Sequence, residues 1–81
     1  MDEELYYERV ANCLARMREG DTFSIRERVR EENRALFISC FRRFAGSTTT
    51  GAYWWDWDGE TGVITKYERL WYKLLKEKGK L

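Results

Sequence analysis

The sequence predicts a small α+β domain, because two kinds of apolar spacing follow one another along its 81 residues. In residues 34–45 apolar side chains recur every three or four positions, which is typical of a helix with one buried face. In residues 53–65 aromatic and β-branched residues alternate with polar ones on either side of a glycine-rich turn, which predicts a β-hairpin. From Lys66 the helical spacing returns, so we expect a final helix after the hairpin.

The most informative segment, residues 22–45, predicts two helices separated by a tight break. Ser24 and Glu27 have the spacing of a capping box, in which each side chain accepts a hydrogen bond from the backbone N–H of the other residue at a helix start. Asn33 favours a turn or a new cap, so a second helix is expected to begin at Arg34 and to run to residue 45. The residues on its apolar face are Phe37, Cys40, Phe41 and Phe44. A capped short helix, a turn and this second helix together indicate a helix-turn-helix.

The opposite face of the second helix carries small, hydroxyl-bearing and basic side chains, which suit a helix that reads a DNA groove. Arginine fits this role because its planar fork donates two hydrogen bonds to a guanine edge or to a phosphate. The alternative is a solvated helix face whose charge is balanced by neighbouring glutamates. The candidate DNA contacts are Arg34, Ala35, Ser39, Arg42 and Arg43 on this helix, with Arg26, Arg28 and Lys66 as flanking phosphate contacts.

Helices are also expected near both ends of the chain. Asp2 can cap the first helix, and Gly20 is expected to end it just before a brief strand at residues 22–23. The apolar stripe of this first helix is Leu5, Val10, Cys13, Leu14 and Met17. The stripe of the last helix is Tyr67, Leu70, Trp71, Leu74 and Leu75. The last stripe is wide for so small a core, which predicts a homodimer through the C-terminal helix.

With helices, a short strand and a hairpin in this order, residues 5–75 resemble the winged-helix superfamily of DNA-binding domains. Residues 17–25 look like the passage from the first helix through the short strand into the second helix. Residues 38–44 look like the recognition helix, and residues 54–65 look like the wing. The resemblance implies one winged helix-turn-helix domain over residues 1–81, with three helices, a β-hairpin wing and a C-terminal helix. It also implies binding of double-stranded DNA, with the recognition helix in the major groove.

The formal net charge of +1 conceals an uneven distribution of charge along the chain. Residues 21–45 hold six arginines against four acidic residues, and residues 63–81 hold six basic residues against two acidic ones. Residues 46–62, between them, hold three acidic residues and no basic one. This pattern permits nucleic-acid contact by the helix pair or by the C-terminal segment.

Catalysis and metal binding find little support in the sequence. There is no histidine, no nucleophile elbow and no phosphate-binding loop, so we expect neither enzymatic activity nor a cofactor. Cys13 and Cys40 are too few for a structural zinc site and are expected as free thiols. The acidic N-terminus is unlike a signal peptide, and no apolar run approaches the roughly 20 residues that span a bilayer. A cytoplasmic protein with no membrane partner is therefore expected.

The hairpin supports a second interpretation, because its aromatic residues are interspersed with acidic ones. Strand alternation places Trp55 and Trp57 on one face and Trp54 and Asp56 on the other, so we expect two of the four tryptophans to pack inside. An exposed tryptophan is costly to leave in water, and acidic neighbours repel a phosphate backbone. A protein partner is thus the expected ligand of the hairpin. The candidate partner-binding residues are Trp54, Trp57 and Trp71.

The leading functional prediction is a small sequence-specific or architectural DNA-binding protein. Its size suits a transcriptional regulator of the phage or mobile-element type. The alternative is a protein-interaction module, an inhibitor or an adaptor, that binds a protein partner through the acidic aromatic hairpin.

Overall fold

The computed structural model describes residues 2–79, in which helices pack against one face of a three-stranded antiparallel sheet. The expected α+β fold class is confirmed, and the element order is compatible with a winged-helix layout. The elements are α1 (Glu3–Ala15), β1 (Thr22–Ser24), α2 (Ile25–Arg28), a 3-10 turn (Glu31–Asn33), α3 (Arg34–Ser47), β2 (Tyr53–Asp58), β3 (Val63–Glu68) and α4 (Leu70–Glu77).

The first helix begins as the sequence predicts but ends early. The Asp2 carboxylate accepts hydrogen bonds from the backbone N–H groups of the first turn, at 3.0 Å from the nitrogen of Glu4. The helix stops at Ala15, so the expectation that it continues to Gly20 is wrong. The loop that follows is tied to the sheet, because the N–H of Gly20 donates to the carbonyl oxygen of Lys66 at 2.8 Å. Residues 19 and 20 form a turn, with Gly20 at φ 89°, so the helix that the sequence pattern favours cannot continue here.

The sheet has the order β1-β3-β2, so the third strand lies in the centre. The expected brief strand before Ser24 is confirmed as β1, which pairs with β3. The central strand is longer than predicted, since Lys66 and Tyr67 pair with Trp55 and Trp54 of β2 instead of beginning a helix. Their helical spacing is overridden by strand pairing on both sides of β3.

The predicted helix-turn-helix segment forms with a very short first helix. The Ser24 hydroxyl accepts a hydrogen bond from the N–H of Glu27 at 3.4 Å, so the Ser24 half of the expected capping box is confirmed. The return bond from the Ser24 N–H to the Glu27 carboxylate does not form among the described residues. The second helix, α3, begins at Arg34 as expected and ends two residues later than expected, at Ser47. The Arg34 guanidinium donates to the carbonyl oxygens of Val29 and Arg26, at 3.2 and 2.9 Å. These bonds tie the first turn of α3 back to the end of α2.

The core lies between the sheet and the helices α1 and α3. At its centre Trp55 packs edge-on against Phe44, with ring centroids 4.7 Å apart, and its indole N–H donates to the carbonyl oxygen of Leu14 at 3.0 Å. The predicted buried face of α3 is confirmed, whereas Leu5, expected in the stripe of α1, is exposed. The buried apolar residues are Val10, Leu14, Phe23, Ile25, Phe37, Cys40, Phe41, Phe44, Trp55 and Ile64.

Lys66 is buried, with 6% of its surface exposed, so its expected role as a phosphate contact is wrong. Its ammonium group donates to the carbonyl oxygens of Met17 and Ala15, at 2.6 and 3.3 Å, just where α1 ends. The group also lies 4.4 Å from the centre of the Tyr53 ring. Burial lowers the pKa of Lys66 below the usual lysine value. Its bonds satisfy carbonyl groups that a helix end leaves without intrahelical partners.

The last helix leaves most of its expected apolar stripe exposed. Leu70, Trp71 and Leu74 are 69%, 48% and 41% exposed, whereas Leu75 is half-buried. The helix contacts the body through its other side, where Tyr72 packs against Tyr53 at 5.6 Å between ring centroids. Its apolar stripe therefore faces solvent.

We predict that Lys66→Met destabilises the fold, because it removes both hydrogen bonds to the end of α1 while keeping an unbranched side chain. Leaving buried acceptors unpaired should lower the free energy of unfolding by roughly 1–3 kcal/mol. Urea denaturation followed by tryptophan fluorescence measures this change. The matched control is Arg9→Met on the exposed side of α1, with an expected effect below about 0.5 kcal/mol. Equal effects of the two substitutions would contradict the structural role of Lys66.

Candidate nucleic-acid interface

The outward face of α3 is the part of the predicted DNA-binding set that the structure brings together. Ala35, Ser39 and Arg42 follow one another along this face at four- and three-residue spacing, and all are exposed. The opposite side of the same helix is buried in the core. We call these three residues the α3 strip. Its small side chains at Ala35 and Ser39 leave the helix backbone open to close approach by a ligand.

Arg42 lies between α3 and the hairpin. The centre of its guanidinium group is 5.6 Å from the centre of the Trp57 ring, a cation–π arrangement that limits the positions of the arginine. Below it, α2, α3 and the hairpin enclose a groove of about 180 Å³. The indole N–H of Trp57 is buried here and has no hydrogen-bond partner among the described residues. Because Arg34 and Ile38 of α3 line it, the groove lies beside the α3 strip.

Arg43 faces the first helix instead of lying parallel to Arg42. Its guanidinium donates to both oxygens of the Glu4 carboxylate, at 2.8 and 3.3 Å, and stacks over the Tyr7 ring at 3.9 Å. The hydrogen bond to Glu4 raises the pKa of Arg43 above its usual value. Its side chain remains 55% exposed, so the contact with α1 leaves it accessible to solvent. The two adjacent arginines therefore have different surroundings.

The remaining predicted contacts divide into exposed and structural arginines. Arg26 is exposed and donates to the carbonyl oxygen of Glu60 at 2.6 Å, which holds the hairpin turn against α2. Arg28 is also exposed, with its guanidinium 5.0 Å from the centre of the Phe23 ring. Arg34 is half-buried, and its guanidinium donates to the backbone carbonyl oxygens of Val29 and Arg26. It is therefore not part of the α3 strip. Among the flanking residues, Arg26 and Arg28 keep an accessible guanidinium.

Sequence reasoning missed a second arginine group, on the other side of α2. Arg9, Arg28 and Arg30 line an open hollow of about 340 Å³, whose floor includes the rings of Phe23 and Phe37. The signal that could have found it is the repetition of arginine at alternate positions in residues 26–30, where an extended segment follows one helical turn. The hollow adds positive charge next to the helix-turn-helix.

The hairpin separates its tryptophans as strand alternation predicts. Trp55 is buried and Trp57 is half-buried, whereas Trp54 is 38% exposed and stacks on Tyr67 with ring centroids 4.8 Å apart. At the turn the Asp58 carboxylate accepts the N–H of Glu60 at 2.9 Å, which fixes the tip with its acidic groups exposed. The tip of the hairpin is therefore acidic, on the opposite side of the sheet from Trp57.

Within residues 2–79, no helix is both long and apolar enough to cross a membrane. No protein family, curated protein or solved structure matches this chain.

We predict that Glu4→Gln frees Arg43 without unfolding the protein. Because both partners are largely exposed, solvent screens the pair, and the midpoint of thermal unfolding should change by no more than a few degrees. In a ¹⁵N NMR spectrum the side-chain Nε–H signal of Arg43 should move, whereas that of Arg42 should stay in place. Glu8→Gln on the same helix is the control and should move neither signal. Equal movement of both signals would contradict the different surroundings of the two arginines.

Proposed function

We propose that the protein binds double-stranded DNA through α3 and acts as a small transcriptional regulator or architectural factor of winged-helix type. The observation that carries the proposal is the α3 strip, an exposed helix face with Ala35 and Ser39 followed by Arg42. A helix of about 10–12 Å diameter fits the major groove when its outer residues are small enough to let the backbone approach. Arg42 then reaches base edges or phosphates from its position beside Trp57.

The order of elements supports the same proposal. The sheet order β1-β3-β2 and the two helices before the hairpin are compatible with a winged domain. In such a domain the second helix of the helix-turn-helix is the one that enters the groove. The hydrogen bonds from Arg34 to the end of α2 make this pair of helices one rigid unit. A rigid support for α3 reduces the ordering cost of binding.

Charge determines which part of the surface meets the phosphates. The 3-10 turn before α3 exposes Glu31 and Glu32, whereas the C-terminal half of the helix carries Arg42 and Arg43. We therefore place the phosphate contacts at the C-terminal half of α3, with Arg26 as a flanking contact. The acidic hairpin tip would lie away from the DNA backbone, unlike a wing that grips phosphate with basic residues.

We predict that the double substitution Arg42→Ala and Arg43→Ala lowers affinity for mixed duplex fragments at least about tenfold, as expected for the loss of two charged contacts. A gel-shift assay at about 50 and 200 mM salt measures affinity and its salt dependence. The slope of log affinity against log salt should fall by about two for the variant, since each lost phosphate contact removes about one unit.

The matched control for this experiment is Arg16→Ala with Arg18→Ala. Both residues are exposed in the segment that follows α1, outside the two arginine groups described above, and the double substitution removes the same total charge. The control should keep nearly all of the affinity. Loss of affinity in both variants alike would indicate attraction by net charge alone. An unaltered affinity in the Arg42 and Arg43 variant would refute the proposed interface.

A second function is favoured by one observation, the exposed Trp54–Tyr67 stack beside Asp56. A flat aromatic pair with an acidic neighbour is typical of a surface that binds a protein. In this alternative the chain is an inhibitor or an adaptor, and binding does not depend on α3.

We predict that Trp54→Ala leaves duplex binding unchanged, because this residue lies on the side of the sheet that faces away from α3. The same gel-shift assay measures it, and the unfolding midpoint confirms that the variant is folded. If instead Trp54→Ala abolishes DNA binding while Arg42→Ala does not, the hairpin is the binding surface.

A further inference from the structure

Two apolar surfaces outside the α3 strip lack a covering element in the described part of the chain. One is the stripe of α4, formed by Leu70, Trp71 and Leu74. The other is the face of the sheet that points away from the helices, where Trp54 and Tyr67 are 38% and 40% exposed. Contiguous exposed apolar surface of this kind on a small protein marks an interaction site.

The α4 stripe is held away from the rest of its own chain. A single residue, Arg69, joins β3 to α4, and its N–H donates to the carbonyl oxygen of Ala52 at 2.8 Å. Its guanidinium also donates to the carbonyl oxygen of Thr48, at 3.0 Å. About two turns along the helix, Lys76 pairs with Glu68 at 2.9 Å. These contacts fix the base of α4 in a position that leaves the stripe exposed.

The outer face of the sheet is apolar at one end and acidic at the other. Strand register places Trp54, Asp56 and Asp58 opposite Tyr67, Thr65 and Val63, and adds Thr22 and Ser24 of β1 on the same face. These eight positions include two aspartates and no basic residue. The α4 helix has the complementary character, since Lys73 and Lys76 within it and Lys78 at its C-cap outnumber its single acid, Glu77.

We propose that a second copy of this chain covers both surfaces. In this dimer α4 of each protomer lies across the outer face of its partner's sheet. Leu70, Trp71 and Leu74 pack on the aromatic pair of Trp54 and Tyr67. Lys73 and Lys78, beside the stripe, meet Asp56 and Asp58 of the partner protomer.

A twofold axis allows both contacts at once, because the two surfaces adjoin on each protomer. Tyr67 is only three residues before Leu70, and it shares a surface hollow with Lys73. A twofold interface must be self-complementary. In the proposed dimer this holds, because α4 of each protomer, which is basic and apolar, packs on the acidic and apolar outer sheet face of the other protomer. Packing of α4 against α4 would instead bring lysines of like charge together, at a cost in stability.

The proposed dimer is independent of the proposed DNA binding, since its contacts use neither the α3 strip nor the groove beside it. Both α3 helices lie outside the proposed interface. A dimer could therefore present two such helices to a duplex, or it could form without any role in DNA binding.

Charge reversal on the full chain tests the pairing of the two surfaces. Sedimentation equilibrium across a micromolar dilution series should give a dimer for the wild-type chain. Asp56→Lys with Asp58→Lys, and separately Lys73→Glu with Lys78→Glu, should each weaken self-association at least about tenfold, because like charges then face each other. An equimolar mixture of these two variants should dimerise again, since both contacts in the mixed dimer regain opposite charges.

The control is Glu8→Lys with Glu32→Lys, which alters charge by the same amount on other exposed surfaces and should leave the dimer intact. Far-ultraviolet circular dichroism verifies folding of each variant, and a variant that fails to fold is replaced by its neutral form, Asp56→Asn with Asp58→Asn or Lys73→Gln with Lys78→Gln. A wild-type chain that stays monomeric overturns the proposal, and so does a mixture that stays monomeric. A dimer that persists in the Asp56 and Asp58 variant overturns the sheet as the docking face.

Discussion

The rest of the structure depends on two donors from the sheet that close the end of α1. The indole N–H of Trp55 donates to the carbonyl oxygen of Leu14, and the buried ammonium of Lys66 donates to those of Ala15 and Met17. The last carbonyl groups of a helix lack intrahelical partners, and burial without partners is costly. Because β2 and β3 supply these donors, the first helix is fixed on the inner face of the sheet. Phe44 of α3 then packs on the Trp55 ring, so the outer side of α3 faces solvent.

This arrangement explains why several arginines of the helix-turn-helix bind groups of the protein itself, although all of them except Arg34 are exposed. The second helix, α2, has four residues, too few for a helix that is stable without tertiary contacts. Arg34 and Arg26 hold it in place by donating to backbone carbonyl oxygens, and Arg43 pairs with Glu4. Arg42, in contrast, lies over the ring of Trp57. Part of the positive charge that suggests nucleic-acid binding thus serves the fold itself.

The sequence was a good guide where a local pattern and its tertiary contacts agree. The caps at Asp2 and Ser24 and the buried face of α3 depend on neighbouring residues and were predicted correctly. Lys66 was misjudged because a lysine in a basic segment carries no local sign that its ammonium will meet the end of a helix 49 to 51 residues earlier. The stripe of α4 has the spacing of a buried face, and spacing cannot tell which molecule will bury it. The DNA-binding and partner-binding roles remain predictions.

The sheet also resolves the apparent conflict between an acidic hairpin and a basic helix. Strand alternation puts Asp56 and Asp58 on the outer face, while Trp57 lies on the inner face beside Arg42. Opposite charges are therefore separated by the thickness of the sheet, although the chain as a whole carries a net charge of only +1. A polyanion near α3 would lie close to the arginines and on the opposite side of the sheet from the aspartates. A basic helix near the outer face would lie close to the aspartates. The proposed DNA contacts and the proposed dimer contacts would therefore use opposite sides of the sheet.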